Sequence, residues 1–214
     1  MAVEKTLSVH LAATDERLAQ AWEAHCAHLP NVHVHRESIL DLACDAVVSP
    51  ANSFGFMDGN LDQAYSEFFG WHVQERLQSL IRSKHGGELL VGQAEIVATD
   101  HPRIPFLISA PTMRVPMTLA EGTVNSYLAA RAALLLVREG VVTSGSSAGE
   151  KVSDLVRTIA IPGLGTGVGR VPAAVCAYQV HAAIRETLLE PAPFPASWIE
   201  AQQWHRQLAD PNGE

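Results

Sequence analysis

The sequence is short of cysteine, of aromatic rings and of positive charge, and each shortage excludes something. Its three cysteines, Cys26, Cys44 and Cys176, are odd in number, far apart and in no CxxC pair, so neither a disulfide framework nor a structural zinc site is expected, and a reducing cytoplasm suits them. Fifteen Lys and Arg against 23 Asp and Glu leave a net charge of −8, too little cation to neutralise a phosphate backbone, which excludes duplex nucleic acid as a partner. No run approaches the ~18 apolar residues of a membrane span, and residues 1 to 15 are too broken by charge for a signal peptide. No repeat of solenoid length occurs. What remains is an ordinary globular composition, 47% hydrophobic and 18% charged over 214 residues, enough for one large domain with a real core.

Along the chain, strand-like and helix-like segments alternate, which predicts an α/β layered sheet. Thr6 to Ala12 reads as a strand, Thr14 followed by Asp15 and Glu16 as the start of a helix running to about His28, Val32 to His35 as a strand, and Asp45 to Ser49 as a strand covered on both faces. Helices are expected over Leu61 to Phe69 and Trp71 to Ser83, broken at Gly70. Strands follow at Glu95 to Ala98 and Phe106 to Ala110, then a helix over Val124 to Arg138 with Thr123 as cap and Gly140 past its end. Val156 to Ile161 is a buried-strand run feeding a helix that Pro172 opens and that runs to about Leu189. Residues 1–189 are read as the domain, and 190–214, with three prolines and a helix at Trp198 to Leu208, as a C-terminal helical appendage.

Two loops leave buried strands and enter helices. Gly163-Leu-Gly-Thr-Gly-Val-Gly169 carries four glycines at alternate positions, so its backbone N–H groups can converge on an anion before a helix N-terminus. The plainer reading is a tight turn, and the spacing is neither a dinucleotide fingerprint nor a Walker loop. Ser49 to Asp62 is the second such loop; Asn52 can brace its turn or grip a ligand, and Asp62 can cap its helix or face one. Both loops are expected at the carboxyl edge of the sheet, which suits a pyrophosphate-sized ligand.

Together, Asp45-Ala-Val-Val-Ser-Pro-Ala-Asn52 with the loop to Asp62, and Ile161-Pro-Gly-Leu-Gly-Thr-Gly-Val168 with Pro172, resemble the macro domain family over roughly residues 37 to 189. The resemblance implies a three-layer α/β/α sandwich with a mixed, largely parallel central sheet, and a cleft for ADP-ribose or an ADP-ribosylated protein. It also implies hydrolysis of ADP-ribosyl linkages without cofactor or metal; the alternatives are a non-catalytic reader or an ADP-ribose 1″-phosphate phosphatase. Asn52 and Asp62 are the catalytic candidates it implies. The ligand-binding candidates are Ser38, Ala51, Asn52, Ser53, Met57, Asp58, Gly59, Asn60 and the segment Gly163, Leu164, Gly165, Thr166, Gly167, Val168, Gly169. Ser38 stands where the family commonly has an adenine-gripping Asp, and Gly169 stands near the place of its usual aromatic.

Three other features compete for attention. Gly145-Ser-Ser-Ala-Gly149 has the spacing of a nucleophile elbow but lacks the strand before it. His25, His28, His33 and His35 invite a metal, without accompanying carboxylates. Phe54 or Phe56 can stack on a ligand ring or close a lid.

Overall fold

The computed structural model describes residues 6–210. In chain order the elements are β1 (Ser8–Ala12), α1 (Glu16–Cys26), β2 (Val32–His35), β3 (Ala46–Ser49), α2 (Asn60–Phe69), α3 (His72–Lys84), β4 (Glu95–His101), β5 (Ile104–Ser109), α4 (Asn125–Glu139), α5 (Val152–Leu155), β6 (Thr158–Ile161), α6 (Ala173–Ile184) and α7 (Trp198–Ala209). The strands form one sheet in the order β2-β1-β6-β3-β5-β4. All neighbours are parallel except β4 and β5, so the sheet is mixed and largely parallel, as expected.

Parallel strands buried on both faces need apolar residues at every position, and β3 and β6 supply them in Ala46-Val-Val and Ile159-Ala-Ile161. Alternate residues divide between two cores. Val48, Ile108, Ile159 and Ile161 pack with residues of α1, α4 and α6. Val47, Leu107 and Ala160 pack with Tyr65, Val73, Leu77 and Ile81 of α2 and α3 on the other face. The result is three layers, helix, sheet, helix.

The element boundaries differ from the expected ones where tertiary contacts decide. β6 begins only at Thr158, because Val156 is taken up as the C-cap of the short α5, its N–H donating to Val152 O (2.8 Å). The N-cap of α4 is Val124, while Thr123 Oγ accepts from Asn125 N–H at 3.3 Å. α6 widens at its end into a π-helical turn over Arg185–Leu189. α7 lies against α6 through Gln179, whose Nε2 donates to Leu208 O (3.0 Å) and to Thr123 O (2.7 Å) while its Oε1 accepts from Tyr127 N–H (3.1 Å). No helix among the described residues is long and apolar enough to cross a membrane.

Candidate functional site

The carboxyl ends of β1, β3, β5 and β6 open on one edge of the sheet, and the corners that follow them enclose a cleft of about 420 Å³. The wall after β6 is the glycine-rich loop. Gly165 needs its left-handed φ of +73°, and a Cβ on Gly169 would meet Gly165 O at 2.5 Å, so the path excludes a side chain at these two positions. Val171 N–H donates back to Gly165 O (3.0 Å), which closes the turn. The N–H groups of the five residues from Gly165 to Gly169 donate to no acceptor among the described residues, and all five residues line the cleft. Among the described residues, no Lys, Arg or His lines the cleft. What the N–H groups offer an anion is backbone dipole rather than side-chain charge.

The wall after β3 is fixed by Asn52. Its Oδ1 accepts from Phe54 N–H (3.1 Å) and Phe56 N–H (3.3 Å), and its Nδ2 donates to Phe56 O (2.8 Å). Asn52 therefore braces its own loop while lining the cleft. The loop ends at Gly59, which caps α2 without a side-chain hydrogen bond, and Asn60 opens the helix with φ +50°. The first turn of α2 thus presents uncapped N–H groups at the cleft, a second spot that favours negative charge.

Asp62 sits on that first turn, half-buried, and its Oδ1 accepts from Ser49 Oγ at 2.5 Å. Burial pushes its carboxyl up to about 6, with the Ser49 hydrogen bond pulling the other way. Such a group is ionised at neutral pH and able to take up a proton just below it.

Of the residues the sequence singled out, Ser38, Ala51, Asn52, Asp58, Gly59, Asn60, Asp62, Gly163, Gly165, Thr166, Gly167, Val168 and Gly169 line the cleft. Ser53, Met57 and Leu164 lie behind its wall, at 1%, 0% and 0% exposure. Met57 packs in the core under α2, its N–H donating to Gln74 Oε1 and its O accepting from Ser66 Oγ; Leu164 is core on the other face. Ser38 caps a 3₁₀ turn, accepting from Leu40 N–H at 3.3 Å. Phe56 is 53% exposed on the cleft, whereas Phe54 stacks under the Arg114 guanidinium.

The sequence reading missed the corner after β1, where Thr14, Asp15 and Leu18 line the cleft, and the stretch after β5, with Thr112, Met113 and Pro116. Both follow from sheet order: β1 lies beside β6 and β5 beside β3, neighbours that nothing in the linear sequence announces. The stretch after β5 arches between the two loops. Ser53 N–H donates to Arg114 O (3.1 Å), and Leu119 N–H donates to Gly169 O (3.0 Å).

The competing features lie elsewhere. His33 and His35 stand on β2 beside His10, whose Nδ1 is 2.9 Å from His35 Nε2, and no group of three or more potential metal ligands is gathered among the described residues. Gly145 to Gly149 forms an exposed turn closed by Gly149 N–H to Val142 O, preceded by no strand of the sheet.

A three-layer α/β/α sandwich with two anion-friendly loops over one sheet edge defines a class of nucleotide-sized ligand binders. The Macro domain sequence model matches residues 48–180, and the chain belongs to the macro domain family. It is 29% identical over 157 residues to an uncharacterized protein of Aquifex aeolicus, covering 73% of this chain and 82% of that one. Its fold is similar to the macrodomain of Mycobacterium tuberculosis DarG (TM-score 0.56, 14% identity, 71% of this chain and 88% of that one). It is also similar to a mutant Oceanobacillus iheyensis macrodomain solved with ADPR (TM-score 0.52, 23% identity, 69% and 72%).

Proposed function

We propose that the cleft binds ADP-ribose and that the protein hydrolyses ADP-ribosyl linkages on modified proteins. The observation that carries this reading is a row of five N–H groups without an acceptor among the described residues, in a cleft that no described Lys, Arg or His lines and that Asp62 lines too. In this reading the diphosphate lies along Gly165 to Gly169 and against the first turn of α2, held by backbone dipoles. The adenine occupies the apolar end beside Leu18, Ile39 and Ala13, with the Ser38 hydroxyl at its edge. The distal ribose lies at Asp62.

Water adds its oxygen to the anomeric carbon of that ribose as the bond from this carbon to the acceptor group breaks. Asp62 takes one proton from the attacking water as it adds and hands that proton on to the acceptor, which leaves with the bonding electron pair; the water's other proton stays on the new anomeric hydroxyl. Fixed geometry supplies most of the acceleration. Asn52 acts by holding Phe56 and the loop in place, since its amide is already used.

A second reading, a non-catalytic reader of ADP-ribose, is favoured by that same engagement of Asn52. Thermal unfolding with ADP-ribose, against AMP and ADP as controls, tests binding. At ~100 times Kd the folded state gains about 2.7 kcal/mol, a rise in Tm of roughly 5–10 °C. A rise no greater than that with AMP removes the ADP-ribose reading. Asp62→Ala then separates the two functions: lost turnover with retained affinity supports the hydrolase, and no wild-type turnover on ADP-ribosylated protein supports the reader.

A further inference from the structure

Ser49 ends β3 and Ser109 ends β5, and the two are register partners in parallel strands, so their side chains share one face. That face is the one under α2 and α3, where Val47 and Leu107, two residues earlier, are core. Both serines are fully buried. Ser49 Oγ donates to Asp62 Oδ1 at 2.5 Å, and Asp62 makes no other hydrogen bond or ion pair among the described residues. Ser109 Oγ is buried with no partner at all among the described residues. It is one of three such atoms among the described residues, with Trp22 Nε1 and Thr187 Oγ1, and burial of an unanswered hydroxyl costs about 1–3 kcal/mol.

We infer that Ser49 and Ser109 form a two-hydroxyl cradle behind Asp62 and are its positioning residues. Ser49 ties Oδ1 back to the sheet and so leaves Oδ2 for the cleft that Asp62 lines. Ser109, one strand further out, joins the pair through a single bridging water, the partner an orphaned buried hydroxyl calls for. The cradle favours the ionised carboxylate against the burial that opposes it. The other groups facing Asp62 cannot do this. Tyr65, on the same helix, gives its hydroxyl to Val48 O at 3.0 Å, and the other titratable groups that line the cleft among the described residues are the carboxylates Asp15, Glu37 and Asp58.

The catalytic use of this cradle rests on the hydrolase reading, but its test does not. The Asp62 carboxyl is followed by ¹³C NMR in the full chain from about pH 3 to 9, with Asp62→Asn to assign the signal. Ser49→Ala is expected to raise its titration midpoint by about half a unit or more, Ser109→Ala to raise it by less, and Ser49→Thr to leave it near the wild-type value. Where turnover is measurable, the acid limb of its pH profile moves up with the midpoint while KM stays put. An unmoved midpoint in folded Ser49→Ala overturns the inference, even if ADP-ribose binds and is released as proposed. An unmoved midpoint in Ser109→Ala removes Ser109 from the cradle. Failure to bind ADP-ribose refutes the reading of the cleft, and the carboxyl titration still decides whether the cradle exists.

Discussion

At the scale of single residues, Asp62 shows what a site asks of a fold. A carboxyl held near 6 against its ordinary 3.8 is a group the folded chain binds protons to more readily than the unfolded chain does. Between those two values the native state carries the extra proton, so this group's contribution to stability falls as pH rises through the window and stays unfavourable above it. Asp62→Asn removes that burden. Discounted for the side open to the cleft, the gain is about 1–2 kcal/mol at neutral pH, a Tm higher by roughly 2–6 °C, absent below about pH 4. Calorimetry across pH checks it, and the same substitution is expected to abolish turnover. Asp62 was legible in the sequence as a carboxylate opening a helix. Its tether was not, because Ser49 reads as the last residue of a strand, and only folding brings its hydroxyl under the first turn of α2.

At the scale of elements, strands and helices were legible because burial on both faces leaves apolar runs that ordinary loops lack. β2 matched its expected span, Val32 to His35, and the two helices parted at Gly70 as expected. Adjacency was not legible. Nothing local tells β1 that it will lie against β6, so the corner after β1 gave no sign of belonging to the cleft. The same adjacency makes β2 an edge strand that carries His33 and His35 next to His10. Burial and the two neighbouring imidazoles hold His10 below the usual histidine range, and Glu37, 3.4 Å from His35, is the carboxylate that answers them. Below about pH 6.5 His10 takes up a proton more readily in the unfolded chain than in the fold, so its contribution to stability is complete above that pH and is lost as the pH falls. Hydrogen exchange is expected to show β2 amides losing protection between about pH 7 and 5 while those of β3 and β5 keep theirs, after correction for intrinsic rates. Equal loss in all three strands contradicts this.

At the scale of the whole molecule, the segment beyond the residues that match the family contributes to the cleft at second hand. Gln179, fully buried, links α6 to the end of α7 and to Thr123 at the foot of the arch between the two loops. Gln179→Leu leaves two carbonyls and the Tyr127 N–H without this partner. The cost is about 2–4 kcal/mol, a fall in Tm of roughly 5–12 °C. Weaker ADP-ribose binding is expected alongside it, because the arch also carries Leu119, which holds Gly169. Calorimetry and a binding isotherm on the same variant separate the two effects. A variant that melts early yet binds as before makes α7 a stabiliser only.

The three thiols carry a different consequence. Cys26 of α1 and Cys176 of α6 belong to the core on one face of the sheet and Cys44 to the core on the opposite face, and burial pushes each of them up to about 12. A soluble alkylating reagent meets a protonated, enclosed sulfur at every position. The native chain is thus chemically silent toward such reagents, and any labelling records a moment when one face of the sheet has come away from its helices. Because the sulfurs are divided between the faces, the position labelled first tells which layer lets go first.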